Sequence, residues 1–347
     1  MTPFDPNPRE RLALGQPPKV LLSLRLAVTL ATLALLLLAG CKKDSSDRIP
    51  GDAPRPARKL IVGFSQVGAE SDWRVAESKS IKDEAARRGI DLKFSDAQGK
   101  QENQFKAIRS FIAQDVDAII LAPKVETGWE QVLKEAKAAK IPVVLVDRGI
   151  NVPDDSLYAT LIASDFVAEG RLAGDWLAKK TGGKARIIEL EGSPGAAPAI
   201  DRKKGFAESL AAHPEMKIIA AQSGDFETGK GKEVMETLLQ QHGKEVTAVY
   251  AHNDNMALGA IEAIKAAGKK PGVDILVISI DAVKAAFTAM AAGDLNCTVE
   301  CNPLLGPLAF GAVEKARKGE LLPKKTVVPD QVFEQSTAAR ELPGRKY

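Results

Sequence analysis

KLIVGFSQVGAESDWR, residues 59–74, contains the two parts of one α/β unit and the loop that joins them. Lys59–Phe64 is a short apolar run with Ile and Val, as expected for a buried strand. Apolar residues at helical spacing begin at Trp73 and continue to Arg88. The stretch therefore predicts a strand, a polar loop and a helix in that order.

Similar units recur along the rest of the chain. Near-continuous Val, Ile and Leu strands joined by helices are typical of a parallel sheet covered on both faces. About 290 residues follow the polar N-terminal region, more than one hydrophobic core usually serves, so we expect an α/β protein with two doubly wound parallel sheets. The other predicted strands are Asp117–Leu121, Pro142–Val146, Ala185–Leu190, Val246–Tyr250 and Asp274–Ile280, and the other predicted helices are Gln104–Gln114, Trp129–Ala139, Ala199–Ala212 and Asn255–Ala267.

The loops that follow these strands carry the candidate binding residues. In doubly wound sheets, ligands lie beyond the carboxyl ends of the strands. These loops contain carboxylates, arginines, an amide and a tryptophan, without the basic excess that an anionic ligand needs. Such a set suits a neutral, polyhydroxylated ligand, because the polar groups bind hydroxyls and an indole covers the C–H face of a sugar ring. The candidates are Glu70, Asp72, Trp73, Arg74, Asp147, Arg148, Arg202, Asn253 and Asp281.

Five of these candidates also have a purely structural interpretation. Asp147 and Arg148 could form an ion pair or a cap at the end of a strand. Trp73 could belong to the core, and Arg202 could lie on a solvated face. Asn253 could cap the helix that follows it. Their joint placement after strands of both predicted sheets favours a binding role.

Several motifs carry a resemblance to a known family. They are VGFSQVGAESDWR (62–74), VDRG (146–149), AIDRKKGFAE (199–208), QSGDF (222–226), KGKEVM (230–235), YAHNDNMALGAI (250–261) and SIDA (279–282). From about Lys59 to its final strands, the chain resembles the type I periplasmic sugar-binding proteins of bacterial ABC importers, and most closely their galactofuranose-binding members.

The resemblance implies two lobes, joined by a three-segment hinge, that close over one monosaccharide and deliver it to an ABC permease. It implies an N-lobe of residues 59–162, completed by about 301–325, and a C-lobe of residues 163–300 with a final segment at about 326–347. By motif, the N-lobe supplies the candidates from Glu70 to Arg148, and the C-lobe supplies the others together with Phe226 of the QSGDF motif. It further implies a monomer without a cofactor.

Three residues depart from the pattern of this family. Asp72 stands where a small residue is usual, and Ala282 follows Asp281 where Gly is usual, which affects the backbone angles available to that loop. Cys301 takes a position near the hinge that bears a polar ligand residue in some relatives. These departures bear on the identity of the sugar more than on the family.

The N-terminal region is predicted to be a leader and a tether. Leu26–Leu38 is apolar but too short to cross a membrane, and small residues follow it, as in a secretory signal. Leu38-Ala39-Gly40-Cys41 resembles the lipobox of bacterial lipoproteins, which implies a signal peptide of residues 1–40 and a lipid on Cys41 that holds a periplasmic protein at a membrane. Ordinary cleavage nearby, with Cys41 a free thiol, is the alternative. Residues 41–58 are polar and proline-rich, as expected for a flexible tether.

Charge and cysteine spacing narrow the class of protein. The formal charge is +3, and nothing indicates the strongly basic face that nucleic-acid binding requires. The predicted leader carries four basic and two acidic residues, so a chain that starts at Cys41 carries +1. In an extended segment, Cys297 and Cys301 would lie about 13 Å apart, too far for a disulfide. Two unpaired, packed thiols are therefore favoured over a bridge formed in a bend.

Three other functional classes are alternatives to a transport protein. An enzyme is not favoured, since the chain lacks G-x-G-x-x-G after a strand, G-x-S-x-G and a Walker sequence, and shows no metal-ligand set. His252 near the predicted cleft is interpreted as a neutral turn residue. A repressor would need an N-terminal helix-turn-helix, where this chain has the predicted export signal. A sugar sensor that acts on a chemoreceptor or a sensor kinase would have the same fold and pocket.

Overall fold

The stretch at residues 59–74 folds as the sequence predicts. In the computed structural model, which describes residues 58–347, it forms strand β1 (Ile61–Gln66), a loop and the first turn of helix α1 (Asp72–Arg87). These described residues form a single compact unit. The predicted signal peptide, Cys41 and nearly all of the predicted tether lie outside them.

Strands and helices alternate along the described unit. All six predicted strands and all five predicted helices are present, with ends displaced by no more than three residues. The remaining strands are β2 Asp91–Asp96, β3 Ala118–Leu121, β4 Val143–Val146, β5 Thr160–Ala163, β6 Lys184–Glu191, β7 Glu215–Ser223, β8 Ala248–Ala251, β9 Leu276–Asp281, β10 Cys297–Glu300, β11 Lys325–Val327 and β12 Val332–Glu334. The remaining helices are α2 Gln101–Ala113, α3 Glu130–Ala138, α4 Phe166–Thr181, α5 Ala197–Leu210, α6 Thr228–His242, α7 Asp254–Ala266, α8 Lys284–Ala292, α9 Gly306–Arg317 and α10 Gln335–Glu341.

The strands form two six-stranded sheets with the same winding. The first has the order β11-β5-β4-β3-β1-β2 and is parallel throughout. The second has the order β12-β10-β9-β8-β6-β7 and is parallel except for β12, which pairs antiparallel with β10. In each sheet the strand order reverses beside the first strand of that half, which is where doubly wound sheets bind ligands. The two-sheet prediction is confirmed.

Side-chain alternation along the strands explains why both faces of the sheets are buried. In β4, Val144 and Val146 face one apolar cluster, whereas Val143 and Leu145 face another. Helices α1 and α9 cover the first of these faces, and α2 and α3 cover the second. Since each fully buried Val or Leu contributes about 1.5 to 3 kcal/mol relative to exposure, this double burial stabilises strands of only four residues.

The chain passes between the sheets three times. It leaves the first sheet after β5, returns from β10 through Cys301 to α9, and crosses again between β11 and β12. Ser164 of the first crossing donates a hydrogen bond to Asp330 of the third, 2.9 Å between Oγ and Oδ1. The predicted three-segment connection is therefore present, and a side-chain hydrogen bond joins its first and third segments.

The sequence prediction missed six strands of the described unit. Four of them, β2, β7, β11 and β12, lie at the edges of the sheets. An edge strand has fewer neighbours to bury it, so β2 (DLKFSD) is polar and half-exposed and lacks a continuous apolar run. The antiparallel β12 also departs from the wholly parallel arrangement that was predicted.

Candidate functional site

Loops at the carboxyl ends of the two sheets enclose a common cavity. About 290 Å³ between these loops is free of atoms, a volume that includes space open to solvent. Five residues after strands of the first sheet, here called the N-terminal wall, are Glu70, Trp73, Arg74, Asp147 and Arg148. Five from the second sheet, here called the C-terminal wall, are Pro198, Arg202, Phe226, Asn253 and Asp281. Ser71 and Cys301 complete the lining.

Arg74 is the centre of the N-terminal wall. Ser71 caps α1 by accepting a hydrogen bond from the Arg74 backbone amide at 3.2 Å, and the first turn then directs the guanidinium into the cavity. The guanidinium lies 3.2 Å from Glu70, 2.5 Å from Glu77 and 2.6 Å from Asp147. With a side chain only 3% exposed, it holds three carboxylates together without screening by water.

Arg148 occupies the same network from the end of β4. Asp147 adopts a left-handed conformation (φ 61°), which turns the chain sharply after the strand. Arg148 donates to the carbonyl of Lys124 at 3.0 Å and lies 3.4 Å from Glu70 Oε1. Its Nε and the second oxygen of Glu70, Oε2, are buried and find no hydrogen-bond partner within residues 58–347. These two polar atoms of the N-terminal wall can therefore each form a further hydrogen bond.

The charges of the N-terminal wall are strongly coupled. Burial opposes ionisation of Glu70, but Arg74 and Arg148 outweigh it and lower the pKa of Glu70. Burial raises the pKa of Glu77 to about 7. The attraction of Arg74 opposes this rise, and repulsion from Asp147 adds to it. Burial and the neighbouring Arg74 lower the pKa of Arg148. The N-terminal wall and Glu77 behind it thus contain two cations and three acidic groups in a desolvated space.

Arg202 is the charged centre of the C-terminal wall. Helices α4 and α5 approach so closely that a Cβ on Gly170 would lie 2.1 Å from the Arg202 carbonyl oxygen, and this contact brings Arg202 beside Glu169. Arg202 Nε donates to Glu169 at 2.7 Å, Nη1 donates to the His252 carbonyl at 2.6 Å, and Nη2 lies 3.6 Å from Asp281. Burial acts to lower the pKa of Arg202, but attraction by Glu169 and Asp281 outweighs this effect and raises the pKa. Arg202 is therefore buried and cationic, and the solvated-face alternative is wrong.

Phe226 and Asn253 support each other at the base of this wall. Phe226 has φ 68°, and its carbonyl accepts a hydrogen bond from Asn253 Nδ2 at 3.0 Å. Asn253 Oδ1 accepts from the Met256 amide at 3.0 Å, so the capping role considered for Asn253 is confirmed. A Cβ on Gly192 would lie 2.0 Å from the Phe226 ring. Glycine at position 192 therefore makes room for this ring.

Asp281 ends β9 in an unusual backbone conformation. Its φ is 124° and that of Ala282 is 61°, and such conformations cost non-glycine residues of order 1 to 3 kcal/mol each. The Ala282 amide donates to Thr298 at 3.1 Å and the Val283 amide donates to Asp254 at 2.8 Å. Burial raises the pKa of Asp281, opposed by Arg202 and assisted by Asp254. Thr298 of the neighbouring strand β10 and Asp254 at the start of α7 thus hold the loop that presents Asp281.

Trp73 and Cys301 meet between the two walls. The indole Nε1 donates to the Cys301 carbonyl at 2.6 Å, so its polar atom is already used, and the Arg74 guanidinium lies 4.8 Å from the ring centroid. Cys297 and Cys301 are both buried and unpaired, which confirms the prediction of two free thiols. Burial also raises the pKa of Cys301, so its thiol is neutral.

The periplasmic binding protein domain family matches residues 62–316. The chain belongs to this family. It is 54% identical over 294 residues to the galactofuranose-binding protein YtfQ of Escherichia coli K12, an alignment that covers 84% of this chain and 92% of the relative. The expected family is therefore confirmed.

Solved structures of similar proteins agree with the fold. The binding protein of the arabinose ABC transporter of Shewanella sp. ANA-3, bound to α- and β-L-arabinofuranose, matches with a TM-score of 0.81 and 57% identity over 83% of this chain and 96% of the other. A Mycobacterium smegmatis protein in complex with β-D-fucofuranose matches with a TM-score of 0.81 and 49% identity over 83% of this chain and 95% of the other. Both sheets of the binding protein thus have counterparts in known structures.

Nine of the ten predicted binding residues line the cavity of this binding protein, and Asp72 does not. Asp72 is the first residue of α1, and its side chain is exposed. Asp72 and Arg74 are two helical positions apart and therefore point about 200° away from each other, so Asp72 faces solvent while Arg74 faces the cavity. Its backbone amide instead donates to Asn255 Oδ1 at 3.1 Å, a contact between the elements of the two sheets.

Sequence reasoning missed the buried carboxylates behind the walls. Glu77 lies three residues after Arg74, and this helical spacing could have revealed it. Glu169 meets Arg202 across two helices, 33 residues apart, and no local signal indicates that contact. His252 is buried behind the cavity, with its ring between the Gly192 amide and Glu189 at 3.3 and 3.0 Å. That placement agrees with a structural histidine.

Two negative findings apply to the described part of the chain. Between residues 58 and 347, no group of three or more His, Cys, Asp or Glu side chains is placed to hold a metal ion. Within the same range, no helix has the length and apolar character that crossing a membrane requires.

Proposed function

We propose that this chain is an extracytoplasmic solute-binding protein that captures one monosaccharide between its two walls. The observation that carries the proposal is a pair of buried atoms that make no hydrogen bond among the described residues, Glu70 Oε2 and Arg148 Nε, of which Arg148 Nε lies 3.5 Å from Asp147 Oδ2. An unpaired buried polar atom costs about 1 to 3 kcal/mol. A sugar hydroxyl both donates and accepts hydrogen bonds, so hydroxyls of one ligand could satisfy both atoms.

The remaining lining fits the same ligand class. Arg202, Asn253 and Asp281 offer donors and acceptors from the opposite side, and Trp73 and Phe226 offer apolar surface for C–H groups. The cations and carboxylates of each wall are mutually paired, which disfavours a charged ligand. We propose all nine cavity-lining candidates as ligand contacts and assign no contact to the exposed Asp72.

The names of the relatives suggest a furanose ring. Galactofuranose, L-arabinofuranose and D-fucofuranose share the arrangement of their ring hydroxyls and differ mainly in the arm outside the ring. We therefore propose galactofuranose, or a furanose with the same ring configuration, as the ligand. An epimer would leave buried polar groups without partners, at about 1 to 3 kcal/mol for each group.

Binding would act by closing a clamp. The proposed N-lobe comprises residues 59–162 and about 301–325, and the proposed C-lobe comprises 163–300 and about 326–347. Contacts that favour the closed form include the Asp72 amide with Asn255 at 3.1 Å and the Glu126 amide with the Gly195 carbonyl at 2.9 Å. A sugar that touches both walls binds this form better and shifts the population toward it. The closed monomer would then dock on an ABC permease and perform no reaction itself.

The transport role is preferred to the sensor alternative because the similar proteins named above include a transporter component.

We also propose a signal peptide of residues 1–40, a diacylglycerol on Cys41 and a tether over residues 41–58 that keep the protein at a membrane facing the periplasm. Labelling cells with a radioactive fatty acid tests this. The native chain should incorporate label and Cys41→Ser should not; label in the variant would contradict the anchor.

Calorimetric titration tests the binding site. Equilibrated D-galactose, L-arabinose and D-fucose should bind, whereas D-glucose should bind far more weakly. Either Arg148→Ala or Asp147→Ala should weaken binding at least about tenfold, since each removes a member of the buried network. Arg109→Ala, at an exposed ion pair with Glu135, is the matched control and should bind as the parent does. Unchanged affinity in both wall variants would refute the site assignment.

A further inference from the structure

The last residues of the chain contact the loop that presents Asp281. Arg345 Nη2 donates to the Ala282 carbonyl at 2.7 Å. The Lys284 amide, at the first turn of α8, donates to the main-chain oxygen of Tyr347 at 2.6 Å. We call residues 345–347 the C-terminal strap. It binds the loop on both sides of Val283, whose own amide is held by Asp254.

The strap is itself held firmly. The Arg345 guanidinium lies 4.7 Å from the ring centroids of Phe287 and Tyr347 and 4.8 Å from that of Phe333. Its Nη2 also lies 3.1 Å from Glu300 Oε1, the atom to which the Tyr347 hydroxyl donates at 2.7 Å. The side chain of Arg345 is 10% exposed. A cation enclosed by three rings and a carboxylate has little freedom to move.

Glu300 connects the strap to the site a second time. It is paired with Asp281 across strands β9 and β10, and the next residue, Cys301, lines the cavity. The strap therefore contacts the residue after Asp281 on one strand and the register partner of Asp281 on the other. Both contacts act on the short segment where φ is positive at two successive non-glycine residues.

We propose that Arg345 is a positioning residue for ligand binding: through the Ala282 carbonyl and Glu300, the C-terminal strap holds Asp281 in the strained conformation that faces the sugar. This inference rests on the sugar-binding function proposed above. Without the strap, the Ala282 peptide can rotate toward an ordinary conformation and carry the Asp281 carboxylate away from Arg202. The strap thus stabilises a backbone conformation that a glycine at position 282 would adopt without strain.

The experiment is titration of L-arabinose and D-galactose into the parent protein and variants, at a temperature where circular dichroism shows all to be folded. Arg345→Ala should weaken affinity about tenfold. Arg340→Ala is the matched control, because Arg340 is exposed and its side chain bonds only Glu341 among the described residues. Adding Ala282→Gly to Arg345→Ala should restore affinity to within about threefold of the parent, since glycine adopts this φ without strain.

Hydrogen exchange gives a readout that does not need the sugar. The amides of residues 282–284 should exchange faster in Arg345→Ala than in the parent, and those of α7 should not change. If Arg345→Ala does not fold, Arg345→Lys replaces it, because lysine keeps the charge but loses the planar fork. That variant should also show weaker binding and faster exchange at residues 282–284.

The outcomes separate this inference from the proposed function. A parent that binds none of the sugars would overturn both. A parent that binds, with an Arg345 variant of equal affinity, would overturn the positioning role alone. Loss of affinity that Ala282→Gly fails to recover would also overturn it, since Arg345 would then act on stability rather than on the conformation of this loop.

Discussion

The two walls of the cavity are built on different physical principles. In the N-terminal wall, side chains hold one another through ion pairs, with Arg74 bonded to three carboxylates. In the C-terminal wall, backbone geometry matters more: Phe226, Asp281 and the following Ala282 have positive φ, against Asp147 alone in the N-terminal wall. Arg202 there bonds a backbone carbonyl as well as Glu169.

This difference indicates how each wall should respond to change. Removing one charge from the N-terminal wall leaves several buried partners uncompensated. The C-terminal wall should instead be sensitive to small steric changes that move the backbone or a ring. Substitutions of the two kinds can therefore test whether the contrast holds.

Arg74→Ala should have the largest effect. It leaves Glu70, Glu77 and Asp147 without their shared cation, and breaking a buried ion pair from one side costs about 3 to 5 kcal/mol. Urea denaturation should show a loss of this size, and calorimetry should show no sugar binding. Arg109→Ala should change stability little, because its ion pair is exposed. Equal stability of the two variants would mean that the ion pairs do not organise the N-terminal wall.

Gly192→Ala should have an intermediate effect that is specific to the C-terminal wall. The added methyl would lie 2.0 Å from the Phe226 ring, so the ring must move. We expect sugar affinity to fall at least about tenfold in calorimetric titration. Gly229→Ala, where a Cβ meets nothing within 4 Å, is the control and should bind as the parent does. Parent-like affinity in Gly192→Ala would argue against a precise requirement for Phe226.

Asp330→Asn should have the smallest effect, and it should depend on pH. Burial raises the pKa of Asp330 to about 8, with Glu169 and Glu300 adding repulsion and Ser164 and Arg202 opposing the shift. The folded state therefore retains a proton that the unfolded chain has lost, and the stability of the parent falls as pH rises from about 4 toward 8. Asparagine keeps an acceptor for Ser164 without this loss.

Thermal unfolding between pH 4 and pH 8 measures that difference. The Tm of Asp330→Asn should exceed that of the parent at pH 8, and the two should converge toward pH 4. A constant offset across this range would show that the Asp330 carboxyl does not titrate with the raised pKa.

The fold was predictable where local pattern and burial coincide. Val143–Val146 is buried on both faces and was found, as was Glu130–Ala138 with its helical spacing. Asp91–Asp96 was missed because an edge strand needs no continuous apolar run. Of the predicted binding residues, Asp72 alone stays outside the cavity, because two helical positions turn it about 200° away from Arg74.

The sequence by itself determined the alternation of strands and helices and the loops that carry polar residues, because both follow from local spacing and from the rule that ligands bind at the carboxyl ends of strands. Only the tertiary structure decided which charges pair: Arg202 with Glu169, Arg74 with Asp147, and Arg345 with Glu300. These partners lie far apart in the chain, and their interaction depends on burial and on distances of a few ångströms. No local pattern encodes those quantities, since they arise when helices and strands pack.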